Sequence, residues 1–468
     1  MPHQVGQLPV DIQSRILHKL ENASKPKHSG ATLSVEEVHV AAPPGADRSI
    51  TVTESLDNKQ ELLPHLQQHG KHLIEELNFR VRLKDPKHKD SDIGPGKPGV
   101  STAAQEMLSG TQTPNMGKIN LEYDFELGAP IGAASEPGVR AFEQPRDEEA
   151  LLQLEGDQAW RRLLADTWGA LAANHTATHL ALKSLVPVWS SAFHTAEFRR
   201  FLGRLEGLEI HVSGIKDGHR SINTVPAYND SLQSLLKVYF LHASSLRRLS
   251  LHASQQAPLG ARGKYHIPLS LKATQLPALE HLSLKNCFAG FELAHFINGH
   301  AGSLRSLELH NCYAFRGTHD GPDAGGMQWA RFFALINRPG TALRRLLISD
   351  AHIPLTIGDP RLQAYDPDTA NEPGDVKNVR RAQRRDPARR LFLYAYLRDY
   401  SGELWMNKDA IVAAFENGED QLAYDELMAR VEGNAATHAQ ECLEAEDCRI
   451  ANGRLPHDQG VRVFELAA

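Results

Sequence analysis

Two nine-residue segments of this chain repeat the same pattern 25 residues apart. Residues 279–287 read LEHLSLKNC and residues 304–312 read LRSLELHNC. The shared positions are Leu279, Leu282, Leu284, Asn286 and Cys287 in the first copy, and Leu304, Leu307, Leu309, Asn311 and Cys312 in the second. Leucines at alternate positions point to one face of a short strand, and the residues beside them face solvent. A single such strand cannot bury its apolar face, so the repeat predicts a stack of similar units.

Weaker copies flank this pair. LRRLSLHAS at 246–254, LRRLLISDA at 343–351, LEGLEIHVS at 205–213 and ATHLALKSL at 177–185 keep the apolar positions, and IEELNF at 74–79 and VEEVHV at 35–40 share the spacing. From residue 177 onward, the intervals between first positions are 28, 41, 33, 25 and 39 residues. The strand segments keep their length, so the added residues must lie in the segments that return from one strand to the next.

The pattern L-x-x-L-x-L-x-x-N/C resembles the leucine-rich-repeat consensus, and its period lies in the same range. The resemblance implies an α/β fold, an irregular leucine-rich-repeat solenoid over residues 30–357 in which short parallel strands alternate with helical return segments. Amphipathic helices are the alternative, since L-x-x-L also fits helical spacing. The L-x-L step and the recurring Asn-Cys pair favour strands.

The segments between and beyond the repeats suggest the rest of the organisation. Residues 192–205 and 327–337 place aromatic residues at helical spacing and predict return helices. Residues 84–118 are rich in Pro, Gly, Lys and Ser, which predicts a disordered insertion. Residues 358–387 are interpreted as a linker. Residues 388–468 are expected to form a C-terminal helical cap and tail, helical over 388–432.

Residues 8–20 read LPVDIQSRILHKL and predict an N-terminal helix within residues 1–25. The segment resembles the opening of an F-box, so the chain as a whole resembles fungal F-box/leucine-rich-repeat proteins. The resemblance implies that a Skp-type adaptor of a cullin-based ubiquitin ligase is bound through Leu8, Pro9, Ile12, Ile16, Leu17 and Leu20. The later helices of an F-box have no counterpart here, so a truncated F-box, a faulty gene model and a simple amphipathic capping helix all remain open.

Composition excludes several classes of protein. The formal net charge is -6 with both signs mixed, which gives no basic field for nucleic acid. The chain shows neither a secretory leader nor a run of about 18 apolar residues, so we expect no membrane segment and a cytoplasmic or nuclear location. Four cysteines are too few for a disulfide framework.

Motifs for catalysis and cofactors are also weak. His175 and His179 have the spacing of a zinc helix but lack the glutamate of a catalytic site, and a strand pattern begins at His179. We therefore expect no metal, no cofactor and no enzymatic activity. The basic run at 377–390 fits an import signal or an anion-binding patch, but a solvated helix face is the favoured interpretation.

One predicted surface goes beyond the resemblance. In each repeat, the residue after the second core position should face solvent on the concave face. In order these residues are Lys183, His211, His252, Lys285, His310 and Ser349. Stacked strands lie roughly 4.8 Å apart, so the residues should form one column. Its histidines and lysines predict an acidic or phosphorylated protein target, with affinity rising as the pH falls through about 6.5.

Two functional hypotheses follow. In the first, the chain is a protein-binding substrate receptor of a ubiquitin ligase, and its repeats recruit a target whose identity is open. In the second, it is a leucine-rich-repeat interaction scaffold without a ligase role.

Overall fold

The structure is a computed structural model, and it divides into residues 1–38 and residues 39–468. The residues that it describes belong to the second unit: 49–55, 74–83, 99–125, 142, 145, 147–212, 216–217, 220–260, 265–315, 326–349, 374–398 and 401–451. Residues 8–20, with the predicted adaptor-binding side chains, and VEEVHV at 35–40 lie outside the described residues.

One parallel sheet organises this unit. Its nine strands follow chain order, and every pair of neighbours is parallel. The strands are β1 Ser49–Ser55, β2 Glu76–Leu83, β3 Lys118–Phe125, β4 His179–Leu185, β5 Gly207–Val212, β8 Arg248–His252, β9 His281–Lys285, β10 Ser306–His310 and β11 Arg345–Ser349. The short pair β6 Lys216–Asp217 and β7 Arg220–Ser221 stands apart. Strands predicted from the repeat pattern are confirmed as β2, β4, β5 and β8–β11.

Ten α-helices lie within the described residues, so the predicted α/β class is confirmed. They are α1 Thr102–Leu108, α2 Glu148–Asp157, α3 Ala159–Ala172, α4 Ala196–Arg204, α5 Pro226–His242, α6 Phe291–Gly299, α7 Trp329–Ile336, α8 Gly374–Arg385, α9 Lys408–Asn417 and α10 Glu419–Ala451. The helices predicted at 192–205 and 327–337 are confirmed. The first is a 3₁₀ turn, Ser191–His194, followed by α4, which starts after Thr195 because the Thr195 hydroxyl accepts the Phe198 N–H at 3.1 Å.

The alternating leucines form the core on one face of the sheet. In β8, β9 and β10 both leucines of each L-x-L step are buried, whereas most residues beside them are partly exposed. Aromatic side chains from the helical layer extend this core. Trp168 lies edge-on to Phe193 and Phe198, with ring centroids 5.2 and 5.9 Å away. Each fully buried apolar side chain contributes about 1.5–3 kcal/mol.

The Asn-Cys pair ends the strand in both copies of the strong repeat. Asn286 and Asn311 have left-handed backbones, with φ of 56° and 48°. The Asn286 side chain donates to the Ala253 carbonyl at 2.8 Å, and its N–H donates to the His310 carbonyl at 3.0 Å. The Cys312 thiol points to the Leu284 carbonyl at 3.5 Å. Neighbouring repeats therefore satisfy each other's backbone groups as the chain leaves the sheet.

The prediction of a disordered insertion at 84–118 is wrong for residues 99–118, whereas 84–98 lie outside the described residues. This segment contains α1, whose Ala104, Met107 and Leu108 are fully buried. The Gly99 N–H donates to Asp166 at 2.7 Å, and a β carbon at Gly99 would lie 2.6 Å from the Leu163 nitrogen. Backbone packs against backbone here, which the Pro/Gly-rich composition does not reveal.

The C-terminal predictions also need correction. Residues 374–385, predicted as linker, form α8, and the stretch predicted as helical from 388 contains an antiparallel hairpin, β12 Ala395–Leu397 and β13 Leu404–Met406. Both strands pack on a cluster with Phe288 and Tyr313, so burial overrides the helical pattern.

Beyond the hairpin, α9 and α10 are helical as predicted, and α10 packs on α7 and β11. Asp420 accepts the Ala330 N–H and the Tyr394 hydroxyl, each at 2.8 Å. Asn434 donates to the Leu343 carbonyl at 2.8 Å. These contacts place the C-terminal helices against the last strand of the sheet.

Candidate functional site

The face of the sheet opposite the leucine core is polar, and we call it the open face. From β5 to β11 it consists of the residues before, between and after the two core positions of each strand. These residues are Gly207, Glu209 and His211 in β5; Arg248, Ser250 and His252 in β8; His281, Ser283 and Lys285 in β9; Ser306, Glu308 and His310 in β10; and Arg345, Leu347 and Ser349 in β11. Most are partly exposed.

The predicted column is present over five strands. The register joins His211 to His252, His252 to Lys285, Lys285 to His310, and His310 to Ser349. We call these five residues the His/Lys row.

The register does not join Lys183 to His211 in the way that it joins the other residues of the predicted column. It pairs with Glu122 of β3, and the register between β4 and β5 shifts after Leu182. The left-handed backbone of Ser184, with φ of 57°, lies at the shift. One extra residue in β4 breaks the one-to-one register here, although Lys183 still acts electrostatically on Glu209 of β5.

A cluster of three side chains occupies the β5–β8 end of the row. The imidazoles of His211 and His252 stack, with centroids 4.2 Å apart and planes at 28°. The His211 Nε2 donates to the Glu209 carboxylate at 2.5 Å. Ligand atoms of Glu209, His211 and His252 all lie within 4.8 Å of one another, although sequence spacing predicts no metal site here.

A similar pair lies on β10. The His310 Nε2 is 3.4 Å from Glu308, and the Arg345 guanidinium is 3.2 Å from the same carboxylate. The other ring nitrogen of His310 is 2.5 Å from the Ser349 hydroxyl. The carboxylates of Glu209 and Glu308 therefore offset part of the positive charge that the sequence predicts along the row.

The rise of affinity near pH 6.5 stays a prediction, but the pKa of His252 does not support a contribution from this residue. Burial, followed by the charges of His211, Lys285 and His310, lowers the pKa of His252 to about 4, although Glu209 acts in the opposite direction. A histidine with this pKa is neutral near pH 6.5, so it adds no charge there. The hydrogen bond from His211, more than any other interaction, lowers the pKa of Glu209.

The open face has two further rows that were not predicted from the sequence. Arg248 and Lys285 are the basic residues on the open faces of β8 and β9, and His252 and His281 lie beside them. Ser250 and Ser283 lie side by side between them. We call these six residues the β8–β9 patch. The leucine alternation could have predicted these rows. The alternation that exposes the residue after the second leucine also exposes the residues before and between the leucines.

The patch differs from the β2–β3 part of the same face. There the charged residues of neighbouring strands pair: Lys118 with Glu76 at 2.9 Å, and Arg80 with Glu122 at 2.9 Å. Strands β8 and β9 contain no acidic residue. Glu280, which precedes β9, is 3.9 Å from Arg247 and also acts electrostatically on His281. Arg248 and Lys285 therefore lie on adjacent strands without an acidic residue, and Glu209 and Glu308 lie on the strands that flank them.

Two other predicted features have structural roles. His175 and His179 do not share a helix, since His179 begins β4. In the basic run 377–390, the Arg389 guanidinium lies 4.1 Å from the Phe415 ring centroid, and Arg390 donates to the Ile348 carbonyl at 2.9 Å. The end of this run therefore attaches β11 to the C-terminal helices.

Across the helices that the structure describes, none combines the length and the apolar character needed to cross a bilayer. No family model matches the sequence, and a search of curated proteins finds no match to it either.

Proposed function

We propose that this chain is a protein-binding protein whose fold is an irregular leucine-rich-repeat solenoid, and that its open face binds a protein segment carrying carboxylate or phosphate groups. The solenoid assignment is supported by chain-order parallel strands, the helices between them and the Asn-Cys pairs. Enzymatic activity is not part of the proposal.

The β8–β9 patch is the observation that carries the proposal. Along a strand, residues two positions apart are about 6.6 Å apart, and the neighbouring strand lies roughly 4.8 Å away. Arg248 and Lys285 therefore flank the two serine hydroxyls within the span of a few residues of an extended peptide. Charge-assisted hydrogen bonds from guanidinium and ammonium groups to carboxylate or phosphate are stronger than neutral ones.

Anisotropy of labelled peptides with the full chain tests the proposal. A phosphorylated peptide and its glutamate analogue should bind, whereas the unmodified serine peptide and a lysine-rich peptide should not. Arg248→Glu and Lys285→Glu should each weaken binding about tenfold or more, which is about 1.4 kcal/mol. Lys237→Glu, a charge reversal at an exposed residue of α5, is the matched control and should leave binding unchanged.

Opposite results would contradict the proposal. It fails if neutral peptides bind as well as acidic ones, or if Lys237→Glu weakens binding as much as Arg248→Glu. Raising the salt concentration should weaken the interaction, because exposed charges are screened.

Delivery of the bound protein to a ubiquitin ligase is the more specific form of the proposal. It is supported by the F-box-like sequence at residues 8–20, including Leu8 and Pro9, and by the frequent combination of an F-box with leucine-rich repeats. We expect the full chain to co-purify with a Skp-type adaptor and a chain without residues 1–24 not to do so. If the full chain does not retain the adaptor, the ligase role is rejected, and an interaction scaffold is the remaining function.

A further inference from the structure

We propose that Glu209, His211 and His252 form a binding site for a divalent transition-metal ion of the zinc type, with one coordination position left open. This inference does not rest on the proposed peptide binding, although His252 belongs to both sites, because ion binding is tested without a peptide. Glu209 and His211 come from one strand, and His252 comes from its neighbour.

The backbone places the three side chains for this role. Glu209 and His211 are two residues apart, so both project from the open face of β5. The register sets His252 directly beside His211. The three ligand atoms lie within 4.8 Å of one another. In a tetrahedral site with bonds of roughly 2.0–2.2 Å, ligand atoms are about 3.3 Å apart. Binding therefore requires side-chain rotations that bring the ligand atoms closer and tilt the stacked imidazoles of His211 and His252 apart.

The donor set indicates the class of metal. Two imidazoles and one carboxylate are a ligand combination that zinc uses, whereas calcium and magnesium require mainly oxygen ligands. The ion would replace the proton that His211 donates to Glu209. With three protein ligands, the fourth position is left to water or to a group of a bound partner.

Accessibility also fits an exchangeable ion. The side chain of His211 is 34% exposed and that of Glu209 is 40% exposed, so an ion reaches them without opening the core. Lys183 and Lys285 are close enough to act on the charges of Glu209 and His252, and their positive charge weakens the attraction for a cation. We therefore expect a bound ion that exchanges with the solution, rather than one that holds the fold together.

The chain contains its own control for this site. Strand β10 repeats the same Glu-x-His step in Glu308 and His310. In register, His310 is flanked by Lys285 and Ser349 instead of a second histidine. The β10 pair therefore lacks the third ligand.

Competition with a chromophoric zinc indicator tests the proposal on the full chain, purified without a histidine tag and with no peptide present. The parent chain should bind one zinc ion at this site. His252→Ala and His211→Ala should each weaken that binding at least about tenfold, and His310→Ala should leave it unchanged. Cobalt, used as a spectroscopic substitute, should show the visible absorption of a tetrahedral site in the parent chain and lose it in His252→Ala.

Far-UV circular dichroism of each variant separates the loss of a ligand from the loss of the fold. Glu209→Gln keeps the size of the side chain and removes its charge, so it should also weaken zinc binding. The proposal is overturned if zinc affinity is the same in the parent chain, His211→Ala and His252→Ala. Equal weakening by His310→Ala would also overturn it, since binding would then follow total histidine content.

Discussion

Replacing Asn286 tests whether the end of the repeat strand holds neighbouring repeats together. Its side chain is buried and donates to the Ala253 carbonyl at 2.8 Å. The loss of that hydrogen bond in Asn286→Ala should cost about 1–1.5 kcal/mol. Alanine must also adopt a φ of 56°, which costs roughly 1–2 kcal/mol for a residue with a β carbon. We therefore expect the free energy of unfolding to fall by about 2–3.5 kcal/mol.

Glycine at the same position separates the two contributions. Asn286→Gly also loses the hydrogen bond, but glycine adopts positive φ freely, with only part of that gain offset by its greater entropy in the unfolded chain. It should therefore be about 1 kcal/mol more stable than Asn286→Ala. Urea unfolding followed by circular dichroism measures both variants, with the slope m compared to confirm that the unfolded states match. If Asn286→Gly is as unstable as Asn286→Ala, the positive φ at this position does not contribute to the loss of stability.

Three further predictions concern packing and the thiols. Asp420→Ala leaves the Ala330 N–H and the Tyr394 hydroxyl without this buried acceptor. The free energy of unfolding, measured by thermal unfolding, should fall by about 2–4 kcal/mol, and limited proteolysis should cleave α10 earlier. Burial raises the pKa of Cys287 to about 12, so at pH 8 its thiol stays protonated, and a disulfide reagent should label the exposed Cys442 far faster; equal rates would contradict this. Gly99→Ala should destabilise the fold because its β carbon would collide with the backbone of α3, and an unchanged melting temperature would rule out that close packing.

The leucine pattern predicted the repeat strands because alternation reports directly which side of a strand is buried. In β9 and β10 the leucines, the Asn and the Cys all occupy the positions that the sequence implies. Strand β3, KINLEYDF, also alternates apolar and polar residues. It was not predicted, because it directly follows the Pro/Gly-rich segment. Average composition obscured α1 in the same way, although the few apolar residues of that helix are fully buried.

The candidate site was predicted in part. Position in the repeat located the His/Lys row, because parallel strands in register align equivalent residues. The register break beside Lys183 coincides with the left-handed Ser184, and a short polar sequence does not indicate such a bulge. The cluster with Glu209 needs two strands that lie far apart in the chain, so no local motif indicates it. The pKa of His252 likewise depends on burial and on charges from neighbouring strands.

The uneven return segments have a consequence for how this chain can diverge. Between equivalent positions of β9 and β10 the chain uses 25 residues, and between β10 and β11 it uses 39, yet both pairs of strands are adjacent and in register. Added residues therefore do not change the distance between neighbouring groups on the open face, which stays at the strand spacing of roughly 4.8 Å. The spacing of side chains across the open face is therefore set by the sheet and not by the length of the return segments. Insertions can accumulate in the return segments while the spacing of the binding groups is preserved.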